Sequence, residues 1–164
     1  MERNPSRIIQ PIILCLLLLV LCLPGRGLAG EISRDGRFID YDNGTVLDTT
    51  TNLMWAAMDN GSAINWRNAK RYCKNYRGGG YDDWRMPTLN ELTGLYDMDK
   101  IYRSACGDNV HLTELIHLTC CCTWTSETHG SDAAYLFGFT GGSQAWGGQS
   151  VVRFTRALPV RSAK

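Results

Sequence analysis

The chain has 164 residues, with 17 lysines and arginines, 16 aspartates and glutamates, and a formal net charge of +1. This near-neutral balance excludes a global field that would attract nucleic acid or an anionic membrane, so any attraction to polyanions must come from a local patch. The length suits a single domain with one hydrophobic core.

The N-terminal segment has the three parts of a secretory signal peptide. Arg3 and Arg7 give a positive start, residues 8–23 are almost entirely apolar, and Gly27 and Ala29 are small residues that a signal peptidase can read. We predict cleavage after Ala29 and export to the periplasm or beyond. An uncleaved anchor is the alternative, although the apolar run is short for a stable membrane span.

Removal of residues 1–29 takes away three arginines and one glutamate, and it leaves 135 residues with 14 basic and 15 acidic side chains. We expect residues 30–36 to be a polar lead-in and residues 37–164 to form a single domain. An oxidising compartment favours disulfides, and an odd cysteine count leaves at least one thiol. The five remaining cysteines are Cys73, Cys106, Cys120, Cys121 and Cys122.

The start of the domain predicts three short strands, at residues 37–41, 45–47 and 53–55. Asn43 and Gly44 separate the first two runs, and an Asn-Gly pair tolerates the positive φ that a hairpin turn needs. The first two strands are therefore expected to pair as a hairpin.

The first helix is predicted to begin after Asn65, a plausible N-cap, and to bury one face. The expected buried residues are Trp66, Ala69, Cys73 and Tyr76. A basic stripe occupies the other faces, and it consists of Arg67, Lys70, Arg71, Lys74 and Arg77. Clustered cations suit sulfated or phosphorylated polymers, which makes Arg67, Arg71 and Lys74 ligand-binding candidates. A solvated helix face without a ligand is the alternative.

The segment before the second helix is predicted to be a structural joint. Trp84 is expected to bury its ring in the core, and Arg85 to reach carboxylates or backbone carbonyls near the helix start. Thr88 and Glu91 have the spacing of a capping box. The residues of this joint are Trp84, Arg85, Pro87, Thr88 and Glu91. Direct contact of the joint with a ligand is the less favoured interpretation.

The last third of the chain predicts a long loop at residues 97–119, with a short helical turn at 113–118. Three strands are expected after it, at residues 121–126, 133–140 and 151–157, joined by glycine-rich turns. Strands before and after two helices, without βαβ alternation, predict an α+β fold with an antiparallel sheet.

The cysteine triplet at residues 120–122 offers partners for Cys106. On a strand, Cys120 and Cys122 share one face and Cys121 lies on the other. We expect one cysteine of the triplet, with Cys120 and Cys122 as the candidates, to pair with Cys106 and tie the loop to the sheet. Such a bridge contributes roughly 3 kcal/mol through the entropy of the unfolded chain.

The histidines match no motif of a metal or catalytic site. A metal site would combine His111 or His117 with two thiolates of the triplet, but the paired Cys-x-x-Cys spacing of structural zinc sites is missing. The sequence has no Gly-x-Ser-x-Gly elbow. His129 ends the polar segment 126–129, which is expected to form a turn. We therefore predict no metal, no cofactor and no enzymatic activity.

Residues 143–150 have the composition most typical of a ligand site. They place Trp146 among glutamine and serine residues on an expected flexible loop, which Arg153 follows. Sugar sites combine an aromatic platform with amide and guanidinium donors, so Trp146, Gln149 and Arg153 are the predicted ligand-binding residues. Packing of Trp146 beneath its own loop is the alternative.

These segments also resemble a known family. Residues 46–55, 66–73 and 79–92, the last with its Trp-Arg-Met-Pro-Thr core, resemble the Lcl C-terminal domain family of bacterial exported domains. Residues 156–161 look like its final strand, and the resemblance spans roughly residues 36–161. It implies a C-type lectin-like fold, similar to that of sulfatase-modifying factors, with two helices packed on small twisted antiparallel sheets.

The best-known member of that family forms the head of a collagen-like adhesin that binds sulfated polysaccharides. This chain has no Gly-X-Y repeat, so trimerisation and adhesion are not implied. We expect an exported, non-catalytic binding module, with a glycan or sulfated polysaccharide as the first candidate ligand. A structural or protein-interaction component of the cell envelope is the alternative. An enzyme of the sulfatase-modifying type is less favoured, because the paired active-site cysteines of those enzymes are not reproduced.

Overall fold

Eleven strands and two helices appear in the computed structural model, which describes residues 29–163. In chain order they are β1 (Glu31–Asp35), β2 (Phe38–Tyr41), β3 (Thr45–Asp48), β4 (Leu53–Ala56), α1 (Trp66–Asn75), α2 (Leu89–Leu95), β5 (Tyr102–Arg103), β6 (Asn109–Val110), β7 (Cys122–His129), β8 (Ala133–Gly138), β9 (Ser143–Gly148), β10 (Thr155–Arg156) and β11 (Val160–Ser162), and a 3-10 turn at Gly78–Gly80 follows α1. The predicted α+β class is confirmed. All of the predicted signal peptide except its last residue lies outside the described residues.

The first sheet has the strand order β1-β2-β3-β4-β11, and all of its pairs are antiparallel. Gly44 has a φ of 76° in the turn between β2 and β3, so the predicted hairpin is confirmed. One face of this sheet packs on α2, and buried Val46, Trp55, Leu92 and Val160 belong to the resulting core.

The strand β1 corrects the prediction of a polar lead-in at residues 30–36. It pairs with β2 at the edge of the sheet, and four of its five side chains are exposed. A strand with one neighbour and no buried face lacks the alternation of apolar residues by which strands are predicted from sequence.

The second sheet has the order β10-β7-β8-β9, and it is antiparallel except for the short parallel pair of β10 with β7. Its strands differ from the prediction. Residues 126–129 continue β7 instead of forming a turn, and residues 143–148 form β9 instead of a flexible loop. Of the predicted strand at 151–157, β10 alone is extended. Two glycines and exposed polar residues in the edge strand β9 concealed it in the sequence.

The helix α1 packs against this second sheet. Asn65 Oδ1 accepts a hydrogen bond of 2.9 Å from the Asn68 backbone N–H and so caps the helix. Trp66 donates its indole N–H to the Thr125 carbonyl at 2.8 Å. The second core cluster fills the space between helix and sheet, and it includes Trp66, Ala69, Cys73, Met86, Trp124, Ala134 and Leu136.

A short segment connects the two sheets, and we call residues 84–88 the joint segment. Arg85 exchanges two backbone hydrogen bonds with Val160 of β11, at 2.9 and 3.0 Å. The Pro87 carbonyl accepts a bond of 2.7 Å from the Ser126 N–H of β7. Trp84 is 3% exposed, and its indole N–H donates to the Gly78 carbonyl at 3.1 Å. The segment therefore bonds to both sheets at once.

The side chains of the joint segment fix the start of α2. Arg85 donates two hydrogen bonds to the Glu91 carboxylate, at 2.8 and 2.6 Å. Glu91 also accepts from the Thr88 N–H at 2.8 Å, while Thr88 Oγ1 accepts from the Glu91 N–H at 3.2 Å. This is a capping box with a guanidinium clamped onto its carboxylate. The preceding aspartate, Asp83, accepts hydrogen bonds from Arg161 at 2.6 and 3.1 Å.

A buried polar network holds the loop before β7. Arg156 of β10 donates to Thr119 Oγ1 at 2.7 Å. The carboxylate of Asp59 accepts from the Thr119 N–H at 2.7 Å and from its hydroxyl at 3.0 Å. Arg156 is 9% exposed and Asp59 4% exposed, so the network satisfies polar groups that would otherwise be costly to bury. It fixes Thr119 immediately before the cysteine triplet through hydrogen bonds alone.

The Arg85–Glu91 contact predicts a pH-dependent stability. Burial raises the pKa of Glu91, but the Arg85 guanidinium and the Thr88 N–H together outweigh it and hold that pKa below its usual value. A lowered folded-state pKa contributes stability above the unfolded-state pKa, and this contribution is lost as the pH falls through the folded-state value. Glu91→Gln keeps the shape and removes the charge, and it should cost about 1 kcal/mol at neutral pH.

The measurement is chemical denaturation of wild type and Glu91→Gln between neutral and acid pH. The difference in free energy of unfolding should shrink as the pH falls below the ordinary carboxyl range. Glu114→Gln, at an exposed position, is the control and should change stability little. A constant difference across this range would show that the charge of Glu91 does not stabilise the joint.

Candidate functional site

Three aromatic side chains meet on the outer half of the second sheet. Trp146 of β9 lies directly opposite Tyr135 of β8. The His129 ring of β7 stacks on Trp146, with ring centroids 4.9 Å apart and planes 18° from parallel. His129 Nδ1 also hydrogen-bonds the Tyr135 hydroxyl at 2.9 Å. We call these three residues the aromatic row.

Trp146 keeps much of its surface free despite these contacts, since it is 61% exposed. Large exposed aromatics are uncommon, and this one sits on a paired strand with a histidine stacked against its ring. Gln144 is exposed and lies two residues before Trp146, hence on the same side of β9. The row thus presents a fixed indole beside an amide that can donate and accept hydrogen bonds.

The other two predicted ligand residues of this region do not join Trp146. Gln149 is 7% exposed, and its amide donates to the carbonyls of Ser131 and Ala133 at 3.2 and 3.1 Å. These bonds hold the β7–β8 turn and occupy the amide N–H groups that were predicted to contact a ligand. Arg153 is exposed in the segment between β9 and β10 and makes no hydrogen bond within residues 29–163.

His129, Tyr135 and Gln144 were not predicted as site residues. His129 was assigned to a turn because its neighbours are polar, and the alternation of Ala133, Tyr135 and Phe137 predicts a strand without showing which rings stand beside it. His129 and Trp146 are 17 positions apart in sequence, and their strands β7 and β9 lie on either side of β8. Their contact therefore follows from the register of the sheet and not from the local sequence.

The basic stripe on α1 forms a second candidate surface. All five of its cations are exposed, namely Arg67, Lys70, Arg71, Lys74 and Arg77. Within the described part of the chain none of them forms an ion pair. Arg71 donates instead to the Asn68 amide oxygen at 3.0 Å, and Lys70 Nζ lies 5.0 Å from the Trp66 ring.

An open hollow of about 560 Å³ runs along one side of this stripe. Arg71 and Arg77 line it together with the rings of Tyr72 and Tyr76 and the amides of Asn68 and Asn75. The first turn of α1 carries no acidic residue. The surface therefore combines unneutralised positive charge with hydrogen-bonding and aromatic groups.

The cysteines of the triplet form two bridges. Cys120 is bonded to Cys106 across 14 residues, and Cys121 is bonded to its neighbour Cys122. Of the two candidates for Cys106, the structure selects Cys120. The pairing of Cys121 with Cys122 differs from their expected placement on opposite faces of a strand, because β7 begins only at Cys122 and leaves Cys121 outside the regular pleat.

The remaining thiol and the other histidines lie apart from the aromatic row. Cys73 lies on the buried face of α1, and burial raises the pKa of its thiol to about 12. Such a thiol is neither accessible nor ionised at neutral pH. His111 Nδ1 lies 2.9 Å from the Lys100 carbonyl, and the His117 ring meets the edge of Tyr102 at 6.0 Å.

Between residues 29 and 163, no helix is both long and apolar enough to cross a membrane. No curated protein matches the sequence. The model of the Lcl C-terminal domain matches residues 44–161, which include the joint segment, both helices and the aromatic row. Because this match covers well over half of the chain, the protein belongs to the Lcl C-terminal domain family.

Proposed function

We propose that this protein is an exported, non-catalytic carbohydrate-binding module and that Trp146 is its sugar platform. The supporting observation is an indole that is 61% exposed on a paired strand while His129 stacks against it. A ring held in one orientation loses little conformational freedom on binding, so more of the contact energy appears as affinity.

The chemistry of the aromatic row fits a pyranose ring. The C–H face of a sugar is apolar and packs on an aromatic face, while its hydroxyl groups need hydrogen-bonding partners at the rim. Gln144 is exposed on the same side of β9 and supplies such a partner. The preference is for a sugar with an unsubstituted ring face, because a bulky axial group would prevent stacking.

Export and a C-type lectin-like fold are part of the same proposal. The signal peptide pattern in residues 1–29 and the two disulfides support an oxidising compartment outside the cytoplasm. Two short helices packed on small antiparallel sheets support the lectin-like assignment. The absence of catalysis is supported by the burial of Cys73 and by the contacts of His111 and His129, which are with a carbonyl, a phenol and an indole.

A second candidate ligand is a sulfated polysaccharide bound along α1. The observation that favours it is the row of five exposed cations without ion pairs within residues 29–163. Guanidinium groups bind sulfate oxygens in bidentate geometry, and Arg71 and Arg77 line the adjoining hollow. A polyanion on this surface would bind more weakly as salt rises, whereas stacking on Trp146 would be nearly independent of salt.

The first test is a glycan array followed by titration of the best ligand against Trp146→Ala. Loss of the platform should weaken binding by at least about tenfold, which corresponds to about 1.4 kcal/mol. Phe154→Ala removes an exposed aromatic outside the aromatic row and is the matched control, with affinity expected to stay unchanged. Equal affinity of Trp146→Ala and wild type, or no glycan bound at any salt concentration, would overturn the proposal. A single stoichiometric protein partner found by cross-linking in cells would then favour an interaction module.

The second test compares a sulfated polysaccharide with its desulfated form. The double variant Arg71→Ala and Lys74→Ala should weaken binding of the sulfated polymer and flatten its dependence on salt. Arg103→Ala, at an exposed cation outside α1, should leave both unchanged. Equal binding of the sulfated and desulfated polymers would exclude α1 as an anion-binding surface.

A further inference from the structure

Five groups with metal-binding chemistry line one open hollow next to the start of β7. The hollow has a volume of about 480 Å³, and Phe154 is one of the residues that line it. Both disulfides border it, and so does one carboxylate. The five groups are Cys106, Asp108, Cys120, Cys121 and Cys122. This hollow is separate from the aromatic row and from the basic stripe.

The carboxylate is aimed at the sulfur atoms of the long-range bridge. An Asp108 oxygen lies 3.1 Å from Cys106 Sγ and 3.4 Å from Cys120 Sγ. The three ligand atoms all lie within 4.8 Å of one another. A disulfide sulfur carries no proton to donate, so the bridged form gives the carboxylate nothing to bind there. A metal ion held by both thiolates would bind it directly.

The loop that carries these groups is fixed by hydrogen bonds that do not involve the disulfide. The Ser104 N–H donates to the Asp108 carbonyl at 2.8 Å, and the Asp108 N–H donates to Ser104 Oγ at 3.2 Å. The Cys106 N–H donates to the Thr119 carbonyl at 3.0 Å, and Thr119 belongs to the buried network with Asp59. These hydrogen bonds do not use the sulfur atoms of the bridge, so they remain available to hold the loop when the bridge is reduced.

We propose that the reduced form of this cluster is a binding site for one thiophilic divalent ion, of the Zn²⁺ or Cd²⁺ class. Cys106, Cys120 and Asp108 would supply three ligand atoms that already lie close together, and Cys121, half-buried in the wall of the same hollow, would supply the fourth. Three sulfurs and one oxygen in tetrahedral arrangement suit these ions. The site is gated by oxidation, because the disulfides use the same sulfur atoms.

Reduction of each disulfide requires two electrons and two protons. A dithiol reductant supplies them and leaves as a cyclic disulfide, while two protein thiols form. The metal ion then displaces one proton from each thiol that ligates it, so Cys106, Cys120 and Cys121 release three protons while Asp108 binds as a carboxylate. In the reverse step a disulfide oxidant takes two electrons from each thiol pair by thiol–disulfide exchange and is itself reduced to a dithiol, so the bridges re-form and the ion is released.

The experiment uses the full domain, reduced with a phosphine, desalted without oxygen and titrated with Cd²⁺ alone. Ultraviolet charge-transfer absorbance reports Cd–thiolate bonds, native mass spectrometry counts ions, and near-ultraviolet circular dichroism reports the fold. We expect one Cd²⁺ per chain and none in the oxidised protein. Asp108→Asn should weaken binding about tenfold. The double variant Cys106→Ser and Cys120→Ser should abolish it.

Cys73→Ala is the matched control, because that thiol is buried in a different core cluster, and it should leave Cd²⁺ binding unchanged. Retention of stoichiometric binding in the double serine variant, or its loss in Cys73→Ala, would overturn the proposal. Should reduction loosen the fold, addition of Cd²⁺ must restore the native near-ultraviolet spectrum in wild type and not in the double variant. Failure to restore it would also overturn the proposal. Neither result bears on carbohydrate binding.

Discussion

The backbone hydrogen bonds of the joint segment set the relation between the two sheets. A buried backbone N–H or C=O group without a hydrogen-bond partner is costly. The backbone groups of this segment therefore favour the position in which each of them has a partner. Arg85 is paired with Val160 on one sheet and Pro87 with Ser126 on the other. The clamp of Arg85 on Glu91 then fixes the start of α2 between them.

Elements with local signals were predictable from the sequence. The caps at Asn65 and Thr88 and the Asn-Gly hairpin are determined by residues a few positions apart, and all three are present. The edge strands β1 and β9 were missed because exposed strands have no buried face to impose an alternating pattern. Their positions depend on the neighbouring strand, which is a tertiary effect that local sequence does not record.

The candidate site was predictable only in part, for a related reason. Trp146 stood out by composition, but its partners His129 and Tyr135 reach it through the sheet register. Gln149, three residues after Trp146, looked equally suitable in sequence and is instead buried. The basic stripe needed no tertiary information, since four of its five cations lie on one short helix, with Arg77 just beyond its end, and so have few ways to be hidden. The match to the family spans both the joint segment and the aromatic row.

The division between a structural joint and an outer binding surface is tested most directly by backbone amide chemical shifts during titration with the best oligosaccharide from an array. The largest chemical-shift changes are expected at His129 and on β8 and β9 around Tyr135 and Trp146. Amides of residues 84–88 should remain unchanged. Large changes at Trp84 and Arg85, with none at Trp146, would contradict it.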